Sequence, residues 1–133
     1  MAVSRLMIFV SSGGYEAAWQ ATSLGLTAAA MGDDVVYVFA FDALRALSRG
    51  SFGKPLTERE SAAATRGTGL GAPVPASMLT DARQLGAKAI ACDTTVKLCG
   101  LDPADLLKKR VLDEMTGLPD IWKLTTSARL LSF

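Results

Sequence analysis

The sequence predicts an α/β domain: a three-layer α/β/α sandwich built around a mostly parallel sheet of four to five strands. Three observations predict it. Short apolar runs rich in strand formers alternate with segments of helical length. Val35–Phe41 (VVYVFAF) is apolar without alternation, as a strand covered on both faces requires. Glycines and an Asp-Pro pair separate the segments. No internal repeat or second domain is visible, so residues 1–133 read as one domain.

Leu6–Val10 is the first strand, ending in the turn cluster Ser11, Ser12, Gly13 and Gly14. Tyr15–Met31 is a helix, stopped by Gly32. Its polar residues Glu16, Gln20, Ser23 and Thr27 fall on one narrow stripe, so it is apolar almost all round and buried on more than one side. One side packs on the sheet. The other packs either on a neighbouring subunit, making a homo-oligomer, or on another helix of the same chain. Val35–Phe41 follows as a strand, and Asp42 is placed to cap a short helix, Ala43–Arg49, closed by Gly50.

Ser51–Ala76 is rich in Gly, Pro, Ser and Thr, and reads as a long loop with at most a helical turn around Glu58–Thr65. Within it, Gly67–Ala72 matches GxGxxA in letters, but no strand precedes it and prolines follow, so it is not a dinucleotide fingerprint. Ser77–Leu85 is a helix ended by Gly86, and Ala87–Ala91 a short strand with Cys92 at its exit. Asp93, Thr94 or Thr95 caps a helix carrying Val96, Leu98 and Cys99. Asp102-Pro103 opens another helix with Leu107, Val111 and Met115 on its inner face, broken by Gly117. Pro119–Ser127 is a last helix and Ala128–Phe133 a last strand. Ligands in such sheets sit at the carboxyl ends of the strands. Ser11–Tyr15, Phe41–Asp42 and Cys92–Thr95 meet there.

Composition excludes several chemistries. Half of the 133 residues are hydrophobic, enough for a core without disulfides. The net charge is +1, which argues against a nucleic-acid binder. There is no histidine, so Ser-His-Asp and Cys-His mechanisms are impossible within one chain. With two cysteines besides, no metal site is expected, and no cofactor is indicated. Met1–Val10 (MAVSRLMIFV) is too short in its apolar part for a signal-peptide core, and no membrane span is present, so a cytoplasmic protein with reduced thiols is expected.

Cys92 carries the chemical case. A thiol at a strand exit before a helix sees the positive end of the helix dipole, which favours the thiolate. A thiolate takes up sulfane sulfur or attacks a disulfide. The plain alternative is a buried cysteine acting as a small hydrophobe. Cys99 lies seven residues on, roughly 10 Å along a helix, too far for a disulfide. Ser11, Ser12, Gly13 and Gly14 sit between strand and helix and either hold an anion on backbone N–H groups or form a tight turn. Lys108-Lys109-Arg110 reads as a solvated helix face, and Trp122-Lys123 as packing or a pocket rim.

The ordered set of elements resembles the DsrE/DsrF-like family. The points of resemblance are Leu6–Gly14, the Ala-rich helix, Gly32 before Val35-Val36, Met78 to Leu85-Gly86, and Ala91-Cys92-Asp93 with Gly100-Leu101 following. The family's sulfur-accepting cysteine commonly stands eight residues before such a glycine; Cys92 matches that position and Cys99 does not. The resemblance implies a parallel-sheet sandwich, trimers or hexamers, and a persulfide carried on Cys92 and exchanged with a sulfur donor or acceptor protein. The Ser51–Ala76 insert and the short C-terminal part depart from anything it assigns.

Three functions follow. The first is a sulfur carrier or sulfurtransferase acting through Cys92, with substrate contacts from Ser11, Ser12, Gly13, Gly14, Asp93, Thr94 and Thr95. The second is a non-catalytic module holding a small ligand or a protein. The third is a thiol redox sensor, which needs a resolving thiol that Cys99 of the same chain does not supply.

Overall fold

The computed structural model describes residues 4–133, so the first three residues of the MAVSRLMIFV stretch lie outside it. Five parallel strands are β1 (Arg5–Val10), β2 (Asp34–Phe39), β3 (Lys88–Cys92), β4 (Glu114–Thr116) and β5 (Ala128–Ser132), in the order β4-β3-β2-β1-β5. The helices are α1 (Tyr15–Ala30), α2 (Phe41–Arg49), α3 (Glu58–Gly69), α4 (Pro75–Gln84), α5 (Asp93–Leu98), α6 (Pro103–Lys108) and α7 (Leu118–Leu124). The predicted α/β sandwich is therefore the observed one, with a sheet that is parallel throughout.

Side-chain alternation divides the core in two. Leu6, Ile8 and Val10 of β1 join Val35, Tyr37 and Phe39 of β2 beneath Ala18, Ala21, Leu79 and Val96. Met7, Val36, Val38, Ile90 and Cys92 point to the other face and meet Ile121, with Leu124 beside it. One short helix, α7, thus serves the second layer. The reason is chirality: right-handed crossovers from β1 through β4 step in one direction, and the return from β4 to β5 steps back across the opposite face.

Within the chain α1 packs against β1, β2 and α4. Ala18, Ala21, Gly25 and Ala29 form its buried stripe. This stripe meets the sheet, with Gly25 over Tyr37, while α4 packs alongside and Leu24 and Met31 stay exposed.

Four expectations need correction. The second strand ends at Phe39, not Phe41, and the helix cap is Ala40, with Asp42 inside the first turn. Ala40 N–H still donates to Val10 O at 2.9 Å, and the chain then turns at Phe41, which has φ +46°. Left-handed backbone at a bulky residue costs about 1–3 kcal/mol and needs surrounding structure to hold it. Second, the supposed 51–76 loop contains a full helix, α3, of 12 residues. Third, the helix after β3 takes its cap from Cys92 itself rather than from Asp93, Thr94 or Thr95.

Fourth, the helix expected to run from Pro103 to Met115 stops at Lys108, and Arg110 adopts φ +58°. Asp113 then joins β3: its N–H donates to Ala89 O at 2.7 Å, and its Oδ2 accepts Ala89 N–H at 2.7 Å. That reciprocal pair starts β4, which the sequence analysis lacked. Leu106 and Leu112 are the buried residues here, while Leu107 is exposed.

Tyr37 marks the tightest packing. It is fully buried, stacks on Phe39 with centroids 5.9 Å apart, and its hydroxyl donates to Thr22 O at 3.3 Å. Burial pushes its pKa well above the ordinary value of 10.0. In the unfolded chain the phenol gives up its proton near that pH, whereas the folded state retains it. Stability is therefore full below about pH 10 and falls as pH rises past it, until the folded hydroxyl itself ionises. Urea titrations at stepped alkaline pH should show this decline, and Tyr37→Phe should flatten it; an unchanged slope in the variant would disprove the assignment.

Candidate functional site

All five strands run the same way, so their exits share one edge. Ser11–Gly14 follows β1, Phe41–Asp42 follows β2 and Cys92–Thr95 follows β3. These are the three segments the sequence places together. The exits of β1 and β3 flank that of β2, about 10 Å apart at ordinary strand spacing, so they share an edge without forming a single contact site.

Cys92 ends β3 opposite Thr116 of β4 and caps α5. It is 6% exposed, and its side chain lies on the face served by α7, beside Ile90, Val38 and Ile121. Its Sγ–H points to Asp93 Oδ1 at 3.8 Å. The same Oδ1 accepts Thr94 N–H at 2.8 Å and lies 3.5 Å from Thr94 Oγ1, so Asp93 occupies the amide at the start of α5. Asp93 and Thr94 are exposed and Thr95 half-buried, so the thiol lies just beneath a polar rim. Thr116 Oγ1 donates to Asp120 Oδ2 at 3.1 Å, fixing the neighbouring β4 exit. Thr116 carries no local signal, because Leu107, Val111 and Met115 set a helical spacing up to it, and Asp120 falls within the last helix as expected.

Cys99 is half-buried and caps the far end of α5; both thiols are free. The intervening helix keeps them apart, as the spacing predicts. Among the described residues no three His, Cys, Asp or Glu side chains converge as a metal site.

The turn after β1 is used by the chain itself. Ser11 N–H and Ser12 N–H both point at Phe133 O, at 2.8 and 3.4 Å, and Ser11 Oγ donates to the same oxygen at 3.3 Å. Gly13 and Gly14 are buried. At the start of α1, Glu16 N–H donates to Glu60 Oε2 at 2.7 Å, and Glu60 Oε1 accepts Leu56 N–H at 3.0 Å. Gly14 permits this approach, since a Cβ there would stand 2.9 Å from Glu60 Oε1. The negative charge that α1 attracts to its N-terminus is thus a carboxylate of α3.

Glu60 is one of two buried polar residues among the described residues, and it ties α3 to α1. Its signal was present in the sequence: Thr57 caps α3 by accepting Glu60 N–H at 3.1 Å, and Thr-x-x-Glu is a capping-box pattern. Glu60→Ala leaves two backbone donors without acceptors and should lower stability by about 1–3 kcal/mol. Amide exchange should quicken first in α3 and in the first turn of α1. Unchanged protection in both segments would contradict the anchor.

Beside this turn a cleft of about 380 Å³ is lined by Ser12, Gly13, Asp42, Arg45, Arg49 and Lys54, among others. Arg45 pairs with Asp42 at 3.0 Å, while Arg49 and Lys54 have no acidic partner among the described residues. Three cations against one carboxylate leave the cleft positive. It lies on the α2 side of the sheet and Cys92 on the α7 side. The basic run Lys108-Lys109-Arg110 is exposed and solvated, with Lys109 paired to Asp105 at 3.1 Å. Trp122 is 75% exposed on α7. No helix among the described residues is long and apolar enough to cross a membrane.

Two comparisons with known proteins bear on this edge. The model of the DsrE/DsrF-like family matches residues 4–133. No curated protein matches the chain.

Proposed function

Because the chain belongs to the DsrE/DsrF-like family, whose members are generally proteins of sulfur relay, we propose that it is a sulfur carrier that loads a single sulfane sulfur on Cys92. The observation that supports the reading is the position of Cys92, which stands at the exit of β3, at the edge of a parallel sheet where ligands ordinarily sit.

The chemistry is a transfer without net oxidation. The Cys92 thiolate attacks the terminal sulfur of a donor persulfide, the donor's S–S bond breaks, and the donor leaves as a thiolate. Cys92 then carries the persulfide, and an acceptor thiolate takes its outer sulfur by the same step in reverse. In the resting thiol Asp93 accepts the Sγ–H hydrogen bond, and that proton passes to water as the thiolate forms. Thr94 and Thr95 form the rim that a donor meets first. With the thiol almost wholly covered, exchange calls for a protein donor or acceptor that seats on this rim. We place this exchange in the cytoplasm, where thiols stay reduced. Assembly of identical chains would cover the exposed Leu118 and Trp122 of α7 and Leu130 of β5.

Cyanolysis tests the proposal. After exposure to a persulfide donor and removal of excess, the protein should release about one equivalent of thiocyanate per chain, given one reactive thiolate. A chain that releases none is not a carrier.

A second reading has its own observation. The positive cleft beside Ser12 and Gly13 suits a small anion, and Arg49 and Lys54 would hold it. Inorganic phosphate that protects the protein thermally, and loses that effect in Arg49→Ala/Lys54→Ala, would favour this binding module. It requires nothing of Cys92.

A further inference from the structure

The segment from Gly50 to Ala76 does more than connect α2 to α4. It borders a half-open cavity of about 260 Å³ between α3 and the chain on either side of it, with Pro55, Pro73 and Val74 also exposed to solvent. The walls are apolar: Phe52, Pro55, Ala64, Pro73, Val74 and Pro75. Three polar side chains belong to this lining: Tyr15 of α1, Thr68 of α3 and Lys54. Lys54 has no carboxylate partner among the described residues. It also lines the positive cleft described above, so Lys54 lies where the two spaces adjoin.

The walls are fixed in advance. Glu60 pins the start of α3 to α1 by accepting Glu16 N–H, and holds the approach to α3 by accepting Leu56 N–H. Gly53, at φ +81°, packs so closely on Pro75 that a Cβ would stand 2.6 Å from the proline ring. Gly67 admits Tyr15 in the same way, with its Oη 2.8 Å from where a Cβ would be. Three prolines in the lining limit what the segment can do when empty. A preformed apolar chamber with a few placed polar groups is the usual form of a small-molecule site.

We propose that this cavity binds a compact apolar carboxylic acid, with the ring or branched chain among the prolines and Phe52 and the carboxylate at Lys54. Size sets the class. An apolar cavity of roughly 150 Å³ accommodates benzene, so this one holds a single ring with one substituent. Charge sets the functional group, because Lys54 is the one cation in the lining and Tyr15 adds a hydroxyl donor. The site lies on the α1 side of the sheet, away from Cys92, and stands independently of the sulfur-carrier reading.

The test is titration with benzoate and with benzyl alcohol, its neutral counterpart, followed by calorimetry and by ligand-observed NMR. Wild type should bind benzoate saturably in the millimolar range or tighter. Lys54→Met should weaken benzoate about fivefold or more and leave benzyl alcohol unchanged. Ala64→Phe, which fills the chamber, should remove both ligands. Should that variant fail to fold, Ala76→Phe fills it from the exposed start of α4. Absence of saturable benzoate binding by wild type overturns the proposal. So does benzoate binding that survives Lys54→Met at full strength, or that persists in a folded chamber-filled variant. Cyanolysis of the same preparations separates this result from the fate of Cys92.

Discussion

Cys92→Ser should lose sulfane-sulfur loading by about 100-fold or more, because a serine hydroxyl neither ionises near neutral pH nor attacks sulfur as a thiolate does. The substitution removes one atom's chemistry and little volume, so the fold should persist; Cys92 packs with Ile90, Val38 and Ile121, and serine occupies the same space. A change in thermal stability of a few degrees is expected from placing a hydroxyl in that apolar contact. Cys99→Ser should load as wild type does, since Cys99 sits at the opposite end of α5. If Cys99→Ser abolished loading and Cys92→Ser retained it, the site would have to be redrawn around the α5 C-terminus.

The largest effect on stability should come from Gly25→Ala. Gly25 lies on the buried stripe of α1 directly over Tyr37. A methyl group there would overlap both Oη and Cζ of the tyrosine and stand 2.8 Å from Cε1. Tyr37 has nowhere to retreat, being fully buried and stacked on Phe39, which in turn meets Phe52 edge-on at 5.5 Å. In most helices Gly→Ala stabilises by up to about 1 kcal/mol. Here overpacking reverses the sign, and a loss of about 3 kcal/mol is expected. Tyr37→Phe in the same chain should recover only part, because the ring carbon still collides. Chemical denaturation of the single and double variants measures this, and a Gly25→Ala protein as stable as wild type would refute the close packing.

Most of the fold was legible because the strands announce themselves. Val35–Phe39 and Leu6–Val10 lack polar interruption, and the glycines that follow α1 and α4 mark their ends. The failures have physical causes. α3 escaped because its sequence, ERESAAATRGTG, has no apolar stripe; it is held by a cap at Thr57 and the Glu60 anchor rather than by a buried face. β4 escaped because it is three residues long and begins through the Asp113 side chain, a tertiary contact with no local pattern. Leu107, Val111 and Met115 fell at helical spacing by coincidence, and a left-handed Arg110 broke the run.

The site divides in the same way. The shared edge of Ser11–Gly14, Phe41–Asp42 and Cys92–Thr95 follows from strand direction alone, which alternation in the sequence predicts. What fills that edge does not. That Asp93 would take the Thr94 amide, that Phe133 would engage Ser11 and Ser12, and that Glu60 would serve α1 are consequences of packing. The positive cleft and the apolar chamber are equally tertiary, assembled from segments that carry no motif.

The most direct test of the central claim is intact-mass spectrometry of the protein before loading, after a protein persulfide donor, and after a protein acceptor thiol, with the added mass mapped by digestion. The account predicts a gain of one sulfur, located on the peptide containing Cys92, and return to the starting mass once the acceptor is added. No gain, or a gain located on Cys99, would contradict it.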